Sequence, residues 1–196
     1  MPRKQRVWVP RDTYHITCRG NHQQSLFRDD EDREFYLIVL KRLKVICPFF
    51  LHAYCLMDNH VHLLIETTFV DISKIMYNIN KDYAVYFNQK YHFVGHLFQG
   101  RFRWELVDND PYYLEVSRYI HLNPVKAEMV ERPQEYSWSS YQSYVQENTE
   151  NTMVDTDKIL GYFKDPKRFK YQRFVEDGVI KDVVSVLEDK CTKIEA

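Results

Sequence analysis

The sequence predicts an α+β fold in which strands and amphipathic helices alternate around a central hairpin. Three observations support this prediction. Residues 13–19 alternate between apolar and polar side chains, and the apolar strand at 50–57 is followed directly by another strand. Two long helical stripes, at 29–46 and 71–90, separate these strands from the rest. A period of two residues indicates a strand, whereas recurrence at three and four residues indicates a helix.

The first helix is predicted from an acidic start followed by an apolar stripe. The acidic residues 29–32 suit the positive end of a helix dipole, and the helix should stop before Pro48. The stripe comprises Tyr36, Val39, Leu40, Leu43 and Ile46. An Asp-Asn pair at 58–59 then fits a two-residue hairpin turn, because both residue types tolerate positive φ.

The second half of the chain repeats the pattern of strand and helix. Asp71 is predicted to cap the second helix, and residues 101–107 alternate as a further strand. Asp110 followed by Pro111 has the composition of a helix start, with an acidic cap and a proline at the first position. Two strand-helix-strand units joined by a hairpin form the ferredoxin-like split βαβ arrangement. Its antiparallel sheet carries the helices on one face and should leave the other open.

The chain divides by composition into a domain and an extension. Residues 1–145 contain all of these elements, and 146–196 are predicted to form a polar linker followed by a C-terminal extension of unknown role. The polar run covers 146–152, and the clearest helix candidate in the extension is at about 180–188.

Composition and charge restrict the function. The 196 residues are 44% hydrophobic and 28% charged, and no apolar run approaches the ~20 residues of a membrane span. We therefore expect a cytoplasmic protein. The four cysteines lack the C-x-x-C spacing of a zinc knuckle. A net charge of −1 argues against a generally basic surface, but residues 1–28 hold six Lys and Arg against one acid, and a local patch of this kind can bind phosphates.

The strand after the hairpin turn carries His60 and His62. Their spacing places both imidazoles on one face, because strand side chains alternate. Two neutral imidazoles on one side provide half of a divalent-metal site. The alternative is a half-buried strand whose polar face happens to carry histidines. Glu66 lies on the same face, where we expect it to be solvated.

The helix after Asp110 offers a second group of candidates. Tyr119 and Asn123 are four residues apart and therefore lie on one helical face. Asn123 could supply a carboxamide oxygen to a metal, and Tyr119 a phenol. The alternatives are a core tyrosine with its hydroxyl bonded, and an asparagine that ends the helix before proline. His121 lies on a different side of the helix and is interpreted as structural.

Five segments carry a further pattern: Tyr14-His-Ile with Arg19-Gly-Asn, Met57 to Ile65, Gly95 to Arg101, Arg118 to Val125, and Tyr136 to Tyr141. In unchanged order, they resemble the REP-associated tyrosine transposases of the HUH superfamily of single-strand DNA transposases. The resemblance covers roughly residues 8–145. It implies a ferredoxin-like catalytic domain that binds DNA hairpins and cuts beside them.

The resemblance also implies roles for four residues. His60 and His62 would be ligands of Mg²⁺ or Mn²⁺, with Asn123 as the third ligand, and Tyr119 would be the nucleophile that forms a 5′-phosphotyrosine. The extension after Val145 matches nothing in the family pattern.

DNA contacts are predicted for the basic N-terminal arm and for three arginines. These are Arg19, Arg101 and Arg103. The last two alternate with Phe102 and Trp104, so they fit phosphate contact on one face, although an exposed face over a packed core explains the same pattern. His15 should face the DNA side of its strand and is assigned no role.

Two other functions remain open at the level of sequence. The chain could be a domesticated protein that binds DNA hairpins without cutting them, or a metal-dependent phosphoesterase in which no covalent intermediate forms. Loss of cleavage with intact affinity would favour the first, and turnover without an adduct the second. We also expect the chain to bind single-stranded or hairpin DNA with palindromic repeats and to associate with the nucleoid. A homodimer is a further possibility at the level of sequence.

Overall fold

The structure, a computed structural model, describes residues 8–147 and 153–178. Its strands are β1 (Thr13–Arg19), β2 (Phe49–Met57), β3 (His60–Thr67) and β4 (Arg103–Val107). They form one antiparallel sheet in the order β2-β3-β1-β4. Because this is the strand order of the ferredoxin-like arrangement, the predicted fold class is confirmed.

The helices follow the predicted order and add several short segments. The helices are α1 (Asp30–Ile46), α2 (Ile72–Tyr91), α3 (Asp110–Lys126), α4 (Gln142–Val145), α5 (Asp157–Gly161) and α6 (167–178). Short 3₁₀ turns lie at Asn21–Gln23 and Pro133–Glu135. No helix in the described ranges is long and apolar enough to cross a membrane.

The helix starts are set by side-chain caps. Asp29 accepts a hydrogen bond from the backbone N–H of Asp32, and Asp71 caps α2 as predicted. Asn109, rather than Asp110, caps α3, because its Oδ1 lies 2.9 Å from the backbone nitrogen of Tyr112. Asp110 then becomes the first helical residue, where its charge still faces the positive end of the dipole.

The hairpin between β2 and β3 has the predicted two-residue turn. Met57 pairs with His60, so the turn consists of residues 58–59. Neither turn residue has a positive φ. The turn was therefore predicted correctly, but it does not need the positive φ angles on which the prediction was based.

The two faces of the sheet carry different helices. Cys18 of β1 contacts Asn80 of α2, whereas the ring of His15 on the same strand contacts Tyr119 of α3. Residues 15 and 18 point to opposite faces of a strand, so α2 and α3 lie on opposite sides of the sheet. The helices α1 and α2 pack together on one face. The opposite face, which we expected to be open, is covered over β2 and β3 by α3.

The apolar stripe of α3 explains this coverage. Tyr113, Val116 and Ile120 are at most 3% exposed, and a helix with such a stripe must bury it against another element. His52 of β2 and Leu64 of β3 are buried on the face that receives it. The part of this face formed by β1 and β4 keeps exposed polar side chains.

The C-terminal segment packs on the same domain. The carboxylate of Asp155 bonds to Lys44 of α1 and to the backbone N–H of Leu51. Tyr171 of α6 is fully buried. The helix at 167–178 was not predicted, and the predicted one at 180–188 lies outside the described residues. Most of the predicted linker lies outside them too, so the division of the chain at residue 145 stays a prediction.

Candidate active site

The two histidines of β3 lie side by side on the face that α3 partly covers. The ring centroids of His60 and His62 are 5.0 Å apart, with the planes at 85°. The Nδ1 atom of His60 lies 2.7 Å from Oδ1 of Asn59, which can only accept, so this nitrogen carries the proton. The other ring nitrogen of His60 therefore keeps its lone pair, and the hydrogen bond fixes the orientation of the ring.

His62 is more deeply buried and has one unsatisfied nitrogen. Its Nδ1 lies 3.0 Å from Nε2 of His15 and 3.4 Å from Oγ1 of Thr17. Its Nε2 is buried and has no hydrogen-bond partner among the described residues. Buried polar atoms are nearly always paired, so an unpaired one in a cluster of polar side chains indicates a place for a ligand.

The imidazoles in this cluster are neutral at physiological pH. Burial, followed by the charges of His15, His60 and Arg19, lowers the pKa of His62 to about 2. Burial also lowers the pKa values of His60 and His15, and Arg19 adds to the effect at His60. A neutral imidazole has the lone pair that metal coordination requires.

Tyr119 reaches this cluster from α3. Its ring meets that of His62 at 5.5 Å and 90°, and that of His15 at 5.8 Å and 75°. The side chain is 41% exposed, so it is not the core tyrosine of the alternative interpretation. Both halves of the predicted site therefore meet within a single chain.

Asn123 lies one helical turn after Tyr119. Its Nδ2 donates to the carbonyl oxygen of Tyr119 at 2.8 Å, which leaves Oδ1 as the atom that could reach a metal. No hydrogen bond or ring contact joins it to either histidine of β3 in the described part of the chain. It does not end the helix, since α3 continues through Pro124 to Lys126. Its role as a third ligand stays a prediction.

Two of the predicted arginines lie on the histidine face. Arg19 is directly opposite His60 in the register of β1 and β3, and Arg103 is directly opposite Thr17. Cross-strand partners point to the same face, so both guanidinium groups lie on the side of the candidate ligands. Arg101 is exposed just before β4 and lines a cavity of about 420 Å³ beside α2. The basic N-terminal arm runs to about Arg11, and its residues 1–7 lie outside the described residues. The guanidinium group of Arg11 lies 5.7 Å from the ring centroid of Phe69.

A cleft of about 540 Å³ opens beside Tyr119, between α3 and the strands β1 and β4. Its lining combines both charges, with Glu105 and Glu115 on one hand and Arg118 and Lys126 on the other. The ammonium group of Lys126 lies 5.7 Å from the ring centroid of Tyr119. Through this cleft, a large molecule in solution can reach the phenol of Tyr119.

Sequence reasoning missed the contacts of Glu66. Its carboxylate lies 3.0 Å from His52 Nε2 and 2.6 Å from Lys158 Nζ. The hydrogen bond with His52, and then the contact with Lys158, lower the pKa of Glu66 to about 2. It is a paired carboxylate and not a solvated one. Nothing in the sequence near Glu66 indicates a partner 92 positions away.

Comparison with known proteins gives a family match and a fold match. A family model described as an IS200-like transposase matches residues 9–123. The solved structure of a REP-associated tyrosine transposase bound to a REP hairpin is similar, with a TM-score of 0.65 and 18% identity over 79% of this chain and 98% of that one. A putative transposase from Deinococcus radiodurans R1 covers 69% of this chain and 95% of its own, with a TM-score of 0.43 and 18% identity. No curated protein gives a significant match.

Proposed function

This chain belongs to the IS200-like transposase family, and we propose that it is a metal-dependent single-strand DNA endonuclease and strand transferase that cuts beside DNA hairpins. One observation carries the proposal. Tyr119 of α3 meets His62 of β3 within the same chain, and His62 presents a buried nitrogen without a partner in the described part of the chain.

The residues at the site fit a divalent cation. His60 and His62 are neutral imidazoles on one face, and the orphaned Nε2 of His62 requires a partner. Asn123 offers a hard oxygen from the helix that carries Tyr119, and His60, His62 and Asn123 would hold Mg²⁺ or Mn²⁺. When bound, such an ion polarises the scissile phosphate and offsets the charge on its nonbridging oxygens.

The proposed chemistry is a transesterification by Tyr119. The phenolic oxygen attacks phosphorus, the bond from phosphorus to the 3′ oxygen breaks, and the phenol loses its proton as the 3′ oxygen leaves to become a hydroxyl. The product is a 5′-phosphotyrosine, which conserves the phosphodiester for later transfer to another 3′-hydroxyl. The partial exposure of Tyr119 suits this role, because the phosphate must reach it from the cleft.

Positive charge beside the site supports a nucleic-acid substrate. Arg19 lies opposite His60, and Arg103 lies one strand further on the same face. Guanidinium groups bind phosphates through paired hydrogen bonds, so these two residues would guide the DNA backbone towards the histidines. We propose that Arg101, which lies beside α2, contacts a different part of the same bound DNA. The hairpin as substrate is suggested by the similar REP-associated transposase, which is bound to one.

The test uses the full chain and labelled oligonucleotides that carry the palindromes flanking its gene. With Mg²⁺ or Mn²⁺, a strand labelled at its 3′ end should become attached to the protein and shift on a denaturing gel. A strand labelled at its 5′ end should only be shortened. Tyr119→Phe should abolish the shift. Tyr162→Phe is the matched control, since that tyrosine is 39% exposed and its hydroxyl bonds to Asp110 outside the site.

Other outcomes would contradict the proposal in distinct ways. An adduct that persists in Tyr119→Phe means that the nucleophile is wrong. Cleavage with turnover but without any adduct favours the phosphoesterase. Tight binding of the flanking hairpins without cleavage, with metal present, favours the domesticated binding protein.

A further inference from the structure

His15 lies between the two halves of the candidate site. Its ring lies beside that of His62, with the centroids 5.3 Å apart and the planes at 21°, and meets the ring of Tyr119 edge-on. Its position follows from the sheet register. Thr17 is directly opposite His62, so His15, two residues earlier on β1, is a diagonal neighbour on the same face.

The hydrogen bond between the two imidazoles has only two possible directions. Either His62 Nδ1–H donates to His15 Nε2, or His15 Nε2–H donates to His62 Nδ1. In the second case, a neutral His62 would carry its proton on Nε2, as a buried donor without an acceptor among the described residues. In the first case, Nε2 carries a lone pair instead, and Thr17 Oγ1 at 3.4 Å can share the Nδ1 proton.

We infer that His15 is a positioning residue that accepts a hydrogen bond from His62 Nδ1–H and so holds the Nε2 lone pair of His62 towards the metal. This inference rests on the proposed function. A ligating histidine usually donates its second N–H to a carboxylate, a carbonyl or a water. Here a second imidazole takes that place, and because the two rings lie edge to edge with their planes at 21°, the hydrogen bond also restrains the orientation of the ligating ring.

The edge contact with Tyr119 gives His15 a second effect. The ring of His15 contacts both the proposed ligand on β3 and the proposed nucleophile on α3, so it helps to set the position of Tyr119 relative to His62. Removing only its hydrogen-bond acceptor should therefore affect the metal, whereas removing the ring should affect the position of the tyrosine as well.

The first test measures Mn²⁺ binding to the full chain by electron paramagnetic resonance. His15→Phe keeps an aromatic ring but cannot accept the hydrogen bond, so its affinity for Mn²⁺ should fall by about 10- to 100-fold. His15→Gln offers an amide oxygen as acceptor and should recover part of the loss. Thr17→Val removes only the longer contact and should change the affinity by less than about threefold, well below the roughly tenfold minimum for His15→Phe.

Comparison with His62→Ala separates the two possible failures. If His62→Ala loses Mn²⁺ while His15→Phe binds it like the wild type, the role of His15 is overturned and the metal site stands. If His62→Ala still binds Mn²⁺ like the wild type, the proposed metal site is wrong and the role of His15 is overturned with it.

A second test needs neither a variant nor a metal. Nitrogen NMR of the imidazoles distinguishes the two neutral tautomers of each histidine. We expect His62 in the Nδ1–H form in the wild-type chain. Finding it in the Nε2–H form would overturn the inference, even if His15→Phe failed to fold.

Discussion

His121 and His62 are both buried, but the structure uses them differently. Burial lowers the pKa of His121 to about 3 and that of His62 to about 2, so their protonation states do not distinguish them. Their hydrogen bonds distinguish the two histidines. His121 has a partner at each ring nitrogen, Tyr171 Oη at 2.7 Å and Ser140 Oγ at 2.8 Å. His62 has a buried nitrogen with none among the described residues.

The network around His121 fixes the helix that carries Tyr119. Ser140 also accepts from the backbone N–H of Tyr54 in β2, and Tyr171 donates to Ser117 of α3. One imidazole therefore links α3, β2 and α6. His121, whose two ring nitrogens are both hydrogen-bonded, stabilises the packing of α3. His62, which keeps one nitrogen unpaired among the described residues, faces the candidate site. An unpaired nitrogen, and not a shifted pKa, separates a candidate ligand from a structural residue here.

The largest expected effect is the loss of stability on replacing His121. His121→Leu should lower the free energy of unfolding by about 3–4 kcal/mol, because two buried hydroxyl groups each lose one of their hydrogen-bond partners. His62→Leu should cost only about 1 kcal/mol, since it loses the hydrogen bond to the partly buried His15 but also removes a buried nitrogen that has no partner among the described residues. Urea unfolding measures both, and Mn²⁺ binding should show the reverse order, with the loss confined to His62→Leu. Equal destabilisation by the two changes would contradict the different structural roles assigned to His121 and His62.

The next effect tests a carboxylate that sequence reasoning took to be solvated. The side chain of Glu66 is 18% exposed, and its pKa is lowered to about 2 by His52 and Lys158. A lowered pKa adds stability above the ordinary carboxyl pKa, which is lost as the pH falls through the lowered value. Glu66→Gln should therefore cost roughly 2 kcal/mol at pH 7. The difference from wild type should shrink from about pH 4.5 and vanish near pH 2.

A surface carboxylate provides the control for Glu66. Glu115 pairs with Arg118 on the same helix, and its side chain is 50% exposed. Exposed pairs of this kind contribute about 0.3–0.5 kcal/mol, so Glu115→Gln should shift the unfolding curve very little at any pH. If both glutamine variants behave alike, the contacts of Glu66 with His52 and Lys158 do not stabilise the fold.

Much of this architecture was predictable because its signals are local. The alternation in β1, the cap at Asp71 and the hairpin at 58–59 each depend on residues next to one another in the chain, and each is found where the sequence placed it. The shared face of His60 and His62 follows from strand parity alone. The meeting of Tyr119 with His62 was suggested by family resemblance, since spacing along the chain could not show it.

The missed features depend on contacts between distant segments. Parity placed His15 on the histidine side, but its bond to His62 joins residues 47 positions apart. Glu66 meets its lysine across 92 positions. The docking of α3 on the second face needs the buried stripe of that helix and the apolar residues of β2 at once. A single sequence shows each surface, and it does not show which surfaces pair.

After the losses at His121 and Glu66, the smallest of the three main effects is the stabilisation of the fold by Mn²⁺, which compares the two histidines through metal binding. A ligand that binds only the folded state stabilises it by RT ln(1 + [L]/Kd), about 1.4 kcal/mol at ten times Kd. Mn²⁺ at that concentration should raise the unfolding free energy of the wild type by this amount, and that of His121→Leu equally, because its site is intact. His62→Leu should gain nothing, since the orphaned nitrogen is the atom that the ion requires. Equal stabilisation of all three proteins would place the metal elsewhere on the chain, and the unpaired nitrogen of His62 would then have no ligand to explain it.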